Sequence, residues 1–168
     1  MQAGTVHPLI EETMKKAIIA WLSVPGEVDA YAIWCMWANN ALYVVSGGEE
    51  QPAPGLARGT TVDISARGDH GGRVVTWPAT VATVSPGTPE WDEIVPQMAG
   101  KRLNASGDTD AVVLRWSRES LVSRLTPAAD PIGAGDTLPD SSGAAPPRPT
   151  PAARRTANPF RLHRVRRN

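Results

Sequence analysis

The chain has 168 residues, 17 basic and 17 acidic side chains and a formal net charge of zero, a length that accommodates one domain with a buried core and excludes two of ordinary size. Its single cysteine, Cys35, excludes an intramolecular disulfide and fits a reducing compartment. No apolar run approaches the ~20 residues a membrane helix requires, and no charged start leads into an apolar leader, so a soluble, cytoplasmic protein is expected.

In chain order, His7–Lys16 reads as a short helix with Pro8 at its first position and Leu9, Ile10 and Met14 on one side. Ala17–Val24 fits a helical stripe or a strand, and the alternation of Ile18, Ala20, Leu22 and Val24 favours the strand before the turn at Pro25-Gly26. Ala30–Trp37 and Ala41–Ser46 are apolar runs flanking Asn39-Asn40, and asparagine tolerates the positive φ of a tight hairpin. Thr60–Arg67 alternates, Asp69-His70-Gly71-Gly72 supplies a second turn, and Arg73–Val84 returns as a long strand. Pro78 within it calls for a bulge or an edge. Thr88-Pro89-Glu90 opens a helix with a buried stripe of Trp91, Ile94, Val95 and Met98, and Pro96 is expected to kink it. Ala111–Trp116 and Ser120–Leu125 read as closing strands.

From Ala128 the composition turns to Pro, Gly, Ala and Ser, which cannot bury enough surface to offset the entropy of ordering. Residues 1–127 are therefore expected to form the domain. Residues 128–168 are expected to form a linker, 128–153, and a disordered basic tail, 154–168. All 17 acidic residues lie at or before Asp140, whereas seven of the basic ones lie from Arg148 onward. The result is an acidic body with a basic arm. An acidic protein surface, including the body itself, is the expected partner of that arm; nucleic acid is not favoured, because Phe160 is the arm's only aromatic. About six short antiparallel strands with two largely apolar faces, plus two short helices, favour a mainly β, closed barrel.

Few side chains announce chemistry. His7, His70 and His163 are dispersed and no Cys/His spacing is present, so no metal site is expected. No P-loop, dinucleotide fingerprint or Gly-x-Ser-x-Gly occurs. Cys35, between Trp34 and Met36 without a neighbouring cation, reads as a buried, inert thiol. Trp34 and Trp37 have opposite parity on one strand and should face opposite sides.

The order of elements, with Ala32–Trp37, Asn39-Asn40, Leu42–Ser46, the Gly47–Gly59 loop, Val62–Ala66, Gly72-Arg73-Val74-Val75 and the segment Val113–Trp116, resembles the flavin-binding split barrel of the pyridoxamine 5′-phosphate oxidase superfamily over roughly residues 17–126. The resemblance implies a six-stranded antiparallel split barrel and a homodimer with flavin or deazaflavin sites at the subunit interface. It implies cofactor contacts from Trp34, Val45, Ser46, Gly47 and Arg73, and oxidoreductase chemistry carried by the cofactor. No side chain is indicated as a catalytic acid or base. Glu49 and Glu50 stand where the family places a basic pair against the cofactor phosphate, and they would repel a dianion. Three readings stay open. Flavin mononucleotide could bind with Arg58, Arg67 or Arg73 in place of the pair. A deazaflavin could be held differently. Alternatively, no cofactor binds, and the barrel is a non-catalytic dimeric module that engages a protein through its basic tail.

Overall fold

The computed structural model describes residues 6–58, 61–68, 72–103 and 107–138. The expected tail from 139 onward and most of the turn at 69–72 lie outside the described residues.

Helix α1 (Pro8–Lys16) starts where His7 Nδ1 accepts from Leu9 N, with Pro8 in the first turn, and buries Ile10 and Met14. Strand β1 (Ile19–Ser23) settles the ambiguous segment as a strand, with Ala20 and Leu22 buried. The run expected to form one strand before Asn39-Asn40 is two, β2 (Tyr31–Trp34) and β3 (Met36–Ala38), broken at Cys35. β2 pairs with β1, and β3 pairs with β4 (Ala41–Ser46) across a turn in which Asn39 and Asn40 have φ 47° and 59°. Strands β5 (Thr61–Arg67) and β6 (Arg73–Thr83) follow as expected. Helix α2 (Pro89–Lys101) is capped by the Thr88 hydroxyl, which accepts from Trp91 N at 3.2 Å; Pro96 lies inside it.

The segment expected to be a strand at 111–116 is instead helix α3 (Thr109–Glu119). Asp108 caps it by accepting from Ala111 N at 2.9 Å, and Val112 and Trp116, one helical turn apart, are its buried face. The Asp108 cap and the four-residue spacing of Val112 and Trp116 make the helix. Strand β7 (Leu121–Pro127) then enters the sheet. Beyond it, where composition marked a linker, the two-residue β8 (Gly133–Ala134) pairs with β6. The described residues thus hold eight strands and three α-helices rather than six and two.

The sheet is antiparallel, in the order β2-β1-β5-β6-β7-β4-β3. Its two ends, β2 and β3, are consecutive in sequence, so the chain crosses from one end to the other through Cys35, whose N–H donates to Ile18 O at 3.0 Å. This makes a nearly closed barrel. Pro78 lies in a central strand, not at an edge. Its carbonyl accepts from Ala128 N at 2.9 Å, just where pairing with β7 ends, so its missing N–H falls in the gap between β7 and β8.

All six residues of β4 are buried because both of its faces are covered. Leu42 and Val44 join Ile10, Leu22, Ile64 and Trp77 inside the barrel. Tyr43 and Val45 pack against Ile94 and Met98 of α2 and Trp116 of α3. Trp37 meets Trp77 edge to face at 6.1 Å, whereas Trp34 packs on the helical side, so the two do face different cores.

Candidate functional site

The loop after β4 is built mainly from its own bonds. Gly47 N donates to Gln51 O and Glu50 N to Gly47 O, each at 3.1 Å, while Ser120 Oγ donates to Gly47 O at 3.2 Å. Gly48, at φ 63°, lies so close to α3 that a Cβ there would stand 2.9 Å from Glu119 O. Its small size thus serves a backbone contact within the fold.

The two glutamates differ sharply. Glu49 is 75% exposed and 3.8 Å from Arg115. Glu50 is only 7% exposed, accepting from Trp116 Nε1 at 2.9 Å through Oε1 and from Arg102 Nε at 3.1 Å through Oε2. The next residue, Gln51, grips β2. Its Nε2 donates to Trp34 O at 2.8 Å and Val45 O at 3.0 Å, while its Oε1 accepts from Trp34 N at 2.7 Å. A side-chain amide thereby joins β2 to β4 across the barrel's seam.

Arg102, the residue ending α2, lies with its guanidinium carbon 5.1 Å from the Trp34 ring centroid, within cation–π range. Together with Lys15, Met36, Trp37 and Lys101 these two line a groove of about 420 Å³, a size suited to a small-molecule site. Its floor is aromatic and apolar and its rim is cationic. Lys15 is 2.6 Å from Glu11, whereas Lys101 has no ion-pair partner among the described residues. The C-terminal end of α2 favours cations at this position.

A larger groove of about 980 Å³ runs past Tyr43, Glu90 and Arg124. The Tyr43 hydroxyl donates to Glu90 Oε1 at 2.8 Å and Arg124 Nη1 donates to both Glu90 oxygens at 3.1 and 3.0 Å, whereas Arg124 Nε is buried without a hydrogen-bond partner among the described residues. Burial and then Glu90 raise the Tyr43 pKa well above its ordinary value. With Glu93 and Asp130 also on its wall, this groove disfavours an anion.

Among the residues implied by resemblance, Trp34 lines the cationic groove, and Val45, which does not, is tied to the Trp34 backbone by Gln51. Val45 and Ser46 are buried, Gly47 is exposed at the turn, and Arg73 lines a separate groove of about 220 Å³ beside Arg67 and Trp21. Sequence reading passed over Lys15, Gln51, Lys101, Arg102 and Trp116 as site residues. The adjacent Lys101-Arg102, at the C-terminal end of α2, was the available signal.

Cys35 also touches the groove, but it is 2% exposed and burial pushes its thiol up to about 12. The folded protein should therefore resist a disulfide-exchange reagent at pH 8 and react with one equivalent once unfolded. An unfolded cysteine ionises near 9.0, so the stability associated with the protonated thiol is intact below that pH and lost as pH rises toward 12. Cys35→Ala should flatten this part of the Tm–pH curve, leaving the alkaline loss due to Tyr31, which burial raises to about 12, and to Tyr43, which burial and Glu90 also raise.

No protein-family model matches the chain, and no curated protein matches it. Among solved structures, the heme storage protein HutZ of Vibrio cholerae superposes with a TM-score of 0.56 at 17% identity, over 75% of this chain and 92% of that one. A Listeria innocua protein assigned as a pyridoxamine 5′-phosphate oxidase gives 0.52 at 16% identity, over 73% and 94%. The chain shares the nearly closed split-barrel fold of these two structures. At such identities the likeness speaks to fold, and a split barrel's function has to be argued from its own side chains. Among the described residues, no helix is long and apolar enough to cross a membrane, and no group of three or more His, Cys, Asp or Glu could hold a metal.

Proposed function

We propose that the protein is a split-barrel oxidoreductase of the flavin or deazaflavin type whose cofactor is held in the groove beside Trp34. The observation carrying this reading is the Arg102 guanidinium over the Trp34 ring in a groove that also presents Lys15 and Lys101. The β4 loop does not fit a cofactor phosphate: its side chains are acidic and much of its backbone is bonded within the fold. The groove does fit an anionic planar ligand. Trp34 and Met36 would take the ring system, and Lys101 and Arg102 the anionic tail. A flavin-type cofactor supplies electron or hydride transfer; these residues bind it, orient it and shield one side from water.

The reading includes a homodimer. Ile18 and Leu103, 68% and 94% exposed, leave the apolar margin of the groove uncovered, and a second copy would cover it. Sedimentation velocity should show twice the monomer mass. The acidic β4 loop favours a second reading, in which the barrel binds no cofactor and works as a dimeric module engaging a protein partner through the basic segment from Arg154.

Absorbance and fluorescence titrations with flavin mononucleotide and with a deazaflavin separate the two. Saturation at about micromolar concentration or below is expected for one of them, with loss of that signal in Trp34→Ala. A folded protein silent to both would overturn the cofactor reading in favour of the module.

A further inference from the structure

The loop that looks hostile to anions builds the groove's anion-binding group indirectly. Glu50 is nearly buried, and both of its carboxylate oxygens are engaged, one by Trp116 Nε1 and the other by Arg102 Nε. Bonding through Nε holds the guanidinium by its inner edge and leaves both terminal amino groups as donors at the groove wall. Among the described residues no second carboxylate pairs with Arg102. Gln51 meanwhile fixes the backbone of Trp34, whose ring lies beneath that guanidinium. Two adjacent loop residues thus place the cation and the indole relative to each other.

We propose that Glu50 is a positioning residue for Arg102, and that Arg102, held over Trp34, reads the anionic part of a groove ligand, a phosphate monoester carried on a planar heteroaromatic ring. A planar guanidinium presented edge-on suits the oxygens of a phosphate monoester better than a mobile ammonium does. The pair therefore sets selectivity, making the groove discriminate between a phosphorylated ligand and its neutral counterpart. The proposal rests on the groove being the cofactor site, and its test separates the two ideas.

The full chain is titrated with flavin mononucleotide, with riboflavin (the same ring without phosphate) and with inorganic phosphate. The Arg102 Nε–H resonance is followed by NMR during the phosphate titration. Flavin mononucleotide should bind about tenfold or more tightly than riboflavin, and inorganic phosphate should shift the Arg102 resonance. In Glu50→Gln, checked for folding by near-ultraviolet circular dichroism, the preference should fall below about threefold and the phosphate response should disappear. Arg102→Lys should retain part of the preference, and combining Glu50→Gln with Arg102→Gln should cost no more than Arg102→Gln alone.

A preference and phosphate shift that survive Glu50→Gln, even with a lowered Tm, would reduce Glu50 to a structural tie and overturn the proposal. The proposal also falls if phosphate leaves the wild-type Arg102 resonance unmoved, or if both flavins bind equally and are insensitive to Arg102. Equal binding would still uphold the cofactor reading. Phosphate recognition that depends on Glu50 without binding of either flavin would uphold this proposal for the anion and overturn the flavin reading.

Discussion

Glu50→Ala should destabilise the protein by about 3 kcal/mol, the lower end of the cost of removing one partner from a buried ion pair. The loss has two sources. Arg102, only 22% exposed, keeps its charge without the carboxylate that faced it. Trp116, fully buried, loses the acceptor of its indole N–H, and an unsatisfied buried donor carries its own desolvation cost. Glu49→Ala provides the internal control. Its side chain is 75% exposed and 3.8 Å from Arg115, so the change should cost less than about 0.5 kcal/mol. Urea denaturation of the two variants measures the contrast. Equal costs would contradict the inward orientation of Glu50.

Trp77→Ala should cost about 4 kcal/mol or more, a large share of the ~5–15 kcal/mol that keeps an ordinary domain folded. Trp77 is completely buried inside the barrel, among Ile10, Leu22 and Ile64, and edge to face with Trp37. A barrel interior is confined by strand pairing on its sides, so the surrounding residues can collapse only partly into the space an indole leaves. Its Nε1 has no hydrogen-bond partner among the described residues. Trp77→Phe should therefore lose volume without orphaning an acceptor and cost less than half as much. The measurement is the urea midpoint, with near-ultraviolet circular dichroism reporting the tryptophan environment. A mild Trp77→Ala phenotype would mean that the interior repacks more freely than a closed barrel permits.

Much of the architecture was legible because local chemistry and tertiary demand agree. Asn39-Asn40 adopt the positive φ their residue type permits, and Thr88-Pro89 start a helix as a hydroxyl cap and a first-turn proline should. The continuous apolarity of Ala41–Ser46 corresponds to a strand covered on both faces. Helix α3 was misread as a strand at 111–116 because so short an apolar run does not by its pattern tell strand from helix. The deciding groups, Asp108 as cap and Val112 paired with Trp116, act across a longer window. The break at Cys35 was not legible, since nothing in the apolar run from Ala30 tells a continuous strand from one that changes pairing partners midway.

The site was less legible for a different reason. Glu49 and Glu50 are chemically identical in sequence, and only the position of α3 and the end of α2 turns one outward and engages the other. The cations lining the groove come from α1 and α2, distant in sequence from the β4 loop that the family pattern singles out. Arg73, implied by that pattern, lies beside Arg67 and Trp21 in another groove. Resemblance located the fold, whereas the charges of this chain follow its own contacts.

The bond from Trp34 N to Gln51 Oε1 has a dynamic consequence. An amide proton in a regular ladder is released when neighbouring strands separate, but this one is released when a single side chain rotates away. In hydrogen–deuterium exchange, Trp34 should therefore open at lower free energy than Ala20 or Val44, independently of global unfolding. Such opening would free the indole's backbone and the loop carrying Glu50 in one local event, making the seam a point of entry into the groove while the rest of the barrel stays intact.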